Sequence, residues 1–250
     1  MELHVFGVPG LPDVSRGDDV ARLVSDAARR ARLRVERGDA IVVAQKIVSK
    51  AEGAVVRLDD VAPSERAVEW AAAHGKDARV VEVILREATR IVRMERGVLI
   101  AETRHGFVCA NAGVDASNVL PGFVTLLPLD PDASAERIRA GLAGTFGAPV
   151  AVIVSDTFGR PWREGVVNVA LGVAGLRPLV DYRGTTDAYG RPLTSTVIAI
   201  ADEIAGAAEL VMRKTACTPA AIVRGVSEWL AEGDGAGRLL VRAPDRDLFR

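Results

Sequence analysis

The chain has 250 residues, 49% of them apolar, and 32 Lys+Arg against 33 Asp+Glu leave a net charge of -1. This composition suits a globular chain that can bury a core, and without a basic tail or lysine run it argues against nucleic acid as a partner. Two cysteines, Cys109 and Cys217, are too few for a disulfide framework or a zinc site.

The start, Met1–Phe6, lacks the basic region and long apolar core of a signal peptide. No apolar stretch reaches the roughly 18 residues that a spanning helix needs. The expectation is a cytoplasmic protein with no membrane partner. Leu3–Val8 reads as a first strand, and Pro9–Val14, with two prolines and a glycine, as a rigid loop. Asp18 or Asp19 can cap a helix running to about Leu33. Val20, Leu23, Val24, Ala27, Ala28 and Ala31 fall on its buried face, and Arg22, Ser25, Asp26 and Arg29 on the other.

Ala40–Ala44 is a strongly apolar strand whose end carries Gln45, Lys46 and Lys50. Two lysines four apart after a buried strand form either a phosphate site, where lysine acts as a mobile point charge, or a pair of solvated strand-end charges. The glycines of a P-loop are missing. Ala54–Leu58 is another strand. Ser64 caps a helix over Glu65–His74 that Gly75 can end, and a second helix runs from about Ala78 to Glu87. Gly97–Glu102 and His105–Ala110 read as two strands joined by a tight turn. In the polar loop that follows, Asp115 and Asn118 present oxygens together if the loop makes one helical turn; an Asx-turn explains either residue alone. Val124–Pro128 is a strand, and Asp130–Glu136 opens a helix to about Phe146.

Ala151–Val154 reads as a buried strand, expected to end at Asp156 and Thr157, with Gly159 and Pro161 turning the chain. Asp156 and Thr157 offer hard oxygens to a divalent cation. Arg160 and Arg163 offer bidentate forks for carboxylate or phosphate. A cation site beside an anion site suggests phosphoryl transfer; an Asp turn with a surface ion pair explains the same residues structurally. Further on, Val166–Val173 and Pro178–Tyr182 are strand-like and Gly184–Arg191 is a loop. Thr194 or Ser195 starts a long helix through Met212, and Arg213–Pro219 is a basic loop. Ala221–Gly225 is a strand, and Gly233–Gly237 a flexible segment. Strands and helices mix irregularly, so the expected class is α+β, mixed sheets with packed helices. One unit over residues 1–250 is expected, with room for two subdomains.

Several stretches match one pattern together: Gly10-Leu11-Pro12, Lys46-Ile47-Val48-Ser49-Lys50, Gly113-Val114-Asp115-Ala116-Ser117-Asn118, Ser155–Arg163, Ala201–Ala205 and Asp247–Arg250. In this order they resemble the coenzyme F420-0:L-glutamate ligases, the CofE family, and the N-terminal domain of FbiB, a fused bacterial relative. The resemblance covers nearly the whole chain. The nitroreductase-like domain of FbiB-type proteins is not expected here. The resemblance implies GTP-driven addition of L-glutamate, through γ-linkages, to the side arm of a deazaflavin acceptor. It implies Mg²⁺ or Mn²⁺, often a monovalent cation such as K⁺, and a homodimer.

Position by position, the resemblance implies GTP contacts at Leu11, Pro12, Asp13, Val14, Gln45, Lys50 and Asn118, and metal ligands at Asp115, Asp156 and Thr157. Lys46 is expected to offset phosphate charge, and Arg160 and Arg163 to grip the glutamate or the acceptor's phosphodiester. No residue stands out as the base for the amine; Asp187 and Glu203 are the residues considered for it. Two positions depart from the family: Gln45 stands where a Ser or similar residue is usual, and Met212-Arg213-Lys214 where Met-Gly-Lys is frequent. An arginine thus occupies a glycine position in a nucleotide-facing loop. A nucleotide- or deazaflavin-binding relative without turnover is the other reading.

Overall fold

The computed structural model describes residues 2–231 and 236–248. In chain order, β1 (His4–Gly7) is followed by α1 (Val20–Arg30), β2 (Ala40–Ala44) and α2 (Gln45–Glu52). Then come β3 (Val55–Arg57), α3 (Glu65–His74), α4 (Ala78–Glu87), β4 (Ala88–Glu95), β5 (Val98–Thr103), β6 (Val108–Ala110) and β7 (Phe123–Thr125). The last part holds α5 (Pro131–Phe146), β8 (Ala151–Arg160), β9 (Arg163–Ala174), β10 (Val180–Asp181), β11 (Val197–Ile198), α6 (Ile200–Met212) and β12 (Ala220–Arg224).

The main sheet has the order β1-β12-β2-β8-β9, with β2 and β8 parallel and the other neighbours antiparallel. Strand alternation splits its side chains between two cores. Ile41, Val43, Val152, Val154 and Ile222 pack with α1, α2 and α5, while Ala40, Val42, Ile153 and Val223 pack with α6. Both faces are covered, which is why β2 and β8 read as continuous apolar runs. The approach of α5 to β9 is close. A Cβ on Gly172 would sit 2.0 Å from the Pro131 carbonyl oxygen. A second layer joins the sheets β4-β5-β6 and β3-β7 to α4 around Val83, Ile84, Leu99, Ala101, Val114 and Val124. The α+β class expected from sequence is the one observed.

Helix ends follow their local signals. Asp19 accepts from the Arg22 N–H at 3.1 Å, Ser64 from Ala67 at 3.4 Å and Asp130 from Ala133 at 3.0 Å. Gly75 closes α3 in the left-handed region. Three local expectations are corrected. Ser25 is buried rather than solvent-facing, because its hydroxyl donates to the Ala21 carbonyl at 2.7 Å. β4 was not expected; its pairing with β5 has two register shifts, which blur the alternation that would mark it. α6 starts at Ile200, not Thr194 or Ser195, because Val197 and Ile198 pair with Asp181 and Val180 first. Of the expected flexible segment, Gly233–Gly235 lie outside the described residues, and Gly237 is buried with its N–H on Asp132 at 2.9 Å.

Candidate active site

β2 and β8 run parallel, with Ala44 opposite Ser155, and ligands gather at the carboxyl ends of such strands. After Ala44 the chain enters α2 directly. Lys46 and Lys50, placed from sequence at the end of the strand, therefore lie on a helix. Residues 45–52 contain no Gly or Pro to break it, and Gly53, at φ 75°, ends it. Lys46 and Lys50 are one turn apart and share a face.

β8 does not end at Asp156, as expected, but continues to Arg160. Asp156 lies opposite Val169, Thr157 opposite Asn168, and Gly159 opposite Val166. Gly159 is tolerated within the ladder, and the turn falls at Pro161 and Trp162, the latter at φ 60°. A register shift between Val154 and Ser155 lies just before the polar pair; such irregularities re-aim side chains.

Asp115 forms a bridge with Thr125, and its carboxylate accepts from the Ser117 N–H at 2.6 Å. This is the Asx-turn, not the helical turn. Lys46 Nζ donates to Asp115 Oδ2 at 2.6 Å, to Ser117 Oγ at 2.8 Å and to the Ser117 carbonyl. Burial alone would raise the Asp115 carboxyl, but hydrogen bonds from Lys46 and Ser117 hold it below its ordinary value. Asp156 behaves oppositely. Burial pushes its carboxyl up to about 6 and Asp115 adds to the rise, against the Thr157 N–H, Lys46 and Lys214. A perturbed acid beside a second carboxylate in a cleft marks a functional-site candidate.

A cavity of about 740 Å³ brings together Leu11, Pro12, Asp13, Val14, Gln45, Lys46, Lys50, Asp115, Asn118, Asp156 and Thr157. Met212 at the end of α6, and Arg213, Lys214, Thr215, Cys217 and Thr218 in the loop after it, close it. Lys50 reaches Asp13 at 3.0 Å rather than Asp115. Arg160 and Arg163 do not line the cavity. Arg160 Nη2 donates to the Glu164 carbonyl at 2.6 Å across the hairpin tip, and Arg163 is exposed. The continuing strand explains this: four residues at about 3.3 Å each carry Arg160 roughly 13 Å beyond Asp156. Asp187 and Glu203 do not line it either; Asp187 accepts from the Tyr189 and Arg191 N–H groups at 2.8 and 2.9 Å. Sequence reasoning missed Ser155, Asn168 and Glu209, which do line it. Asn168 carried a usable signal, a lone amide in the apolar run Val166-Val167-Asn168-Val169. Nothing in the spacing of α6 singles out Glu209.

Residues 10–225 match the sequence pattern of the family described as F420-0:Gamma-glutamyl ligase. This chain belongs to that family. It is 47% identical to the coenzyme F420:L-glutamate ligase of Methanothermobacter thermautotrophicus, with all of both chains covered. It is 49% identical to the ligase of that name from Methanopyrus kandleri, over 99% of this chain and 98% of the other. With that of Archaeoglobus fulgidus the identity is 42%, over 100% and 97%. F420-0:gamma-glutamyl ligase family membership makes the chain an enzyme of the ligase class.

Within this ligase's cavity two buried polar groups lack a protein partner. Gln45 is 1% exposed; its Oε1 accepts from Ser49 Oγ at 2.8 Å, which leaves Nε2 unpaired, and Ser155 Oγ, on β8 opposite Ala44, is unpaired as well. Such orphans are rare in folded interiors and fit a ligand that supplies acceptors. Among the described residues no group of three His, Cys, Asp or Glu side chains is placed to hold a metal ion. Asp115, Asp156 and Thr157 supply two carboxylates and a hydroxyl. This hard-oxygen set suits Mg²⁺ or Mn²⁺ where water and phosphate complete the shell. No helix among the described residues is long and apolar enough to cross a membrane.

Proposed function

We propose that this ligase joins L-glutamate by a γ-glutamyl linkage to coenzyme F420-0, a deazaflavin, in coenzyme F420 biosynthesis, with GTP as co-substrate. The relatives' names support the glutamate and the coenzyme. The observation that carries the phosphoryl-transfer step is the convergence of Lys46, Asp115, Asp156 and Thr157 on one cavity at the end of parallel strands.

An amide does not form from a free carboxylate and an amine without activation. In this reading the acceptor carboxylate takes the γ-phosphoryl group of GTP and becomes an acyl phosphate. The glutamate amine then attacks the carbonyl carbon, and phosphate leaves. The protein contributes positioning and charge stabilisation. Lys46 and Lys50 set positive charge against the phosphates, and Gln45 Nε2 and Ser155 Oγ offer donors to an oxygen of the bound substrate. Asp115, Asp156 and Thr157 would hold Mg²⁺ or Mn²⁺, which when bound neutralises phosphate charge; K⁺ belongs to the same reading. With Arg160 and Arg163 at the hairpin tip, glutamate recognition falls to cavity residues. Arg213 keeps the positive φ of a glycine position, 48°, which supports an intact nucleotide loop over a degenerate one.

A homodimer is part of the proposal. β9 is an edge strand of the main sheet, and Trp162 and Val166 near its start are 82% and 61% exposed, a surface that a second copy would cover.

The test is a purified reaction of the chain with GTP, Mn²⁺, L-glutamate and F420-0, followed by mass spectrometry of the deazaflavin. Glutamyl addition with GDP release is expected, and Asp156→Asn is expected to abolish both while the circular dichroism spectrum stays unchanged. Nucleotide binding without product would replace the ligase reading with that of a binding relative.

A further inference from the structure

Thr157, Asn168 and Glu209 reach the cavity from β8, β9 and α6. Thr157 Oγ1 lies 2.9 Å from Asn168 Oδ1, and Asn168 Nδ2 lies 3.1 Å from Glu209 Oε2. The direction of this chain is set from its far end. A carboxylate only accepts, so Asn168 turns its NH₂ to Glu209 and its carbonyl to Thr157. A carbonyl also only accepts, so the single hydroxyl proton of Thr157 is committed to Asn168. What Thr157 then presents to the cavity is lone pairs. A hydroxyl fixed in this way faces a cation well and a phosphate oxygen badly, whereas a freely rotating hydroxyl would donate to either oxygen neighbour. The amide of Asn168 is 5% exposed in an otherwise apolar stretch. Its two bonds, both to cavity residues, account for its presence there.

We propose that Asn168 and Glu209 are positioning residues that hold Thr157 as a cation-facing acceptor. The proposal rests on the reading of Asp115, Asp156 and Thr157 as the cation ligands. It assigns to α6 a part in building that site, although no side chain of α6 belongs to the ligand set.

The experiment measures Mn²⁺ affinity of the full chain with GTP present, from the electron paramagnetic resonance signal of free Mn²⁺, together with melting temperature. Asn168→Leu is expected to weaken Mn²⁺ about 10- to 100-fold, as loss of a ligand's orienting partner does. Asn168→Asp combined with Glu209→Gln moves the negative charge by one position and keeps both hydrogen bonds: Thr157 still donates to position 168, while the bond between 168 and 209 reverses, with the amide at 209 now donating. It is expected to return the affinity to within about threefold of the unaltered chain, under 1 kcal/mol. A merely structural role would lower melting temperature and affinity together and would not be rescued by the combined change. Failure of the rescue, or unchanged affinity in Asn168→Leu, overturns the proposal. Asp156→Asn separates the two levels. If it leaves Mn²⁺ affinity unchanged, the cation reading itself falls. If it abolishes binding while Asn168→Leu does not weaken it, only the positioning role falls.

Discussion

Asp115 is held by two lysines from opposite sides of the chain: Lys46 Nζ donates to its Oδ2 at 2.6 Å, and Lys214 Nζ stands 3.9 Å from the same oxygen. The Lys46 and Asp115 side chains are 14% and 30% exposed, so this contact is neither a surface pair nor a fully buried one. On the proposed reading of Asp115 as a cation ligand, the ammonium groups stand where the cation would bind, and hydrogen bonds from Lys46 and Ser117 hold the carboxyl below its ordinary value until Lys46 turns to phosphate.

Lys46→Met should therefore have two opposite effects. Turnover should fall about 10- to 100-fold, since a charge-assisted hydrogen bond to phosphate contributes about 1.5–3 kcal/mol. Mn²⁺ affinity in the absence of nucleotide should rise, because no ammonium competes for Asp115. Calorimetric titration of Mn²⁺ into both proteins checks the second effect; a weaker Mn²⁺ site in the variant would show that Lys46 is not a competitor.

Lys50→Met separates ligand binding from folding. Lys50 is 17% exposed in its side chain while its partner Asp13 is 88% exposed, and a pair open to water on one side contributes little to stability. GTP affinity should drop roughly ten- to hundredfold with the ligand-free melting temperature nearly unchanged. If titration of GTP with Mn²⁺ gives the same affinity for both proteins, Lys50 has no part in nucleotide binding.

The Asp156 carboxyl at about 6, against an ordinary 3.8, gives a pH signature. Folding raises this value, so the ligand-free folded chain holds an extra proton between those limits. The group's contribution to stability is complete at the acid end of the window and is lost as pH rises through about 6. A cation at Asp156 must displace the proton, so Mn²⁺ affinity should be flat above pH 7 and fall about tenfold per pH unit below 6. Thermal shift with Mn²⁺ at pH 5 and pH 7.5 reads this directly. An equal shift at both values would mean that the cation does not use Asp156.

What the sequence shows and what it hides divide along local and non-local lines. The caps at Asp19, Ser64 and Asp130, the stop at Gly75 and the strand β2 depend on residues within a turn or two of each other, and they were legible. β8 was misjudged because its continuation past Asp156 depends on pairing with β9, including Gly159 against Val166. No short window reveals that pairing. The same register decides that Thr157 meets Asn168 rather than a neighbour one residue away, which would face the other side of the sheet. Lys46, Asp115 and Asp156 were brought together by a family pattern; their chemistry alone left structural readings open. Glu209 could be found only once α6 was seen to cross β9.

Arg213 offers a test of a strained backbone. It caps α6 at φ 48° and ψ 140°, and its N–H donates to the Glu209 carbonyl at 3.0 Å. This region favours glycine, and a non-glycine residue held near it costs about 1–3 kcal/mol. Arg213→Gly should relieve the strain. Added freedom in the unfolded chain takes back about 0.5–1 kcal/mol, leaving a net gain of about 1 kcal/mol and a melting temperature about 2–4 °C higher. Arg213→Ala keeps a Cβ and therefore the strain, so it should show no such gain. Scanning calorimetry on the three proteins separates backbone from side chain. If the alanine variant gains as much as the glycine variant, the arginine side chain rather than its backbone is the source of the cost. If neither gains, the loop after α6 holds this conformation without strain.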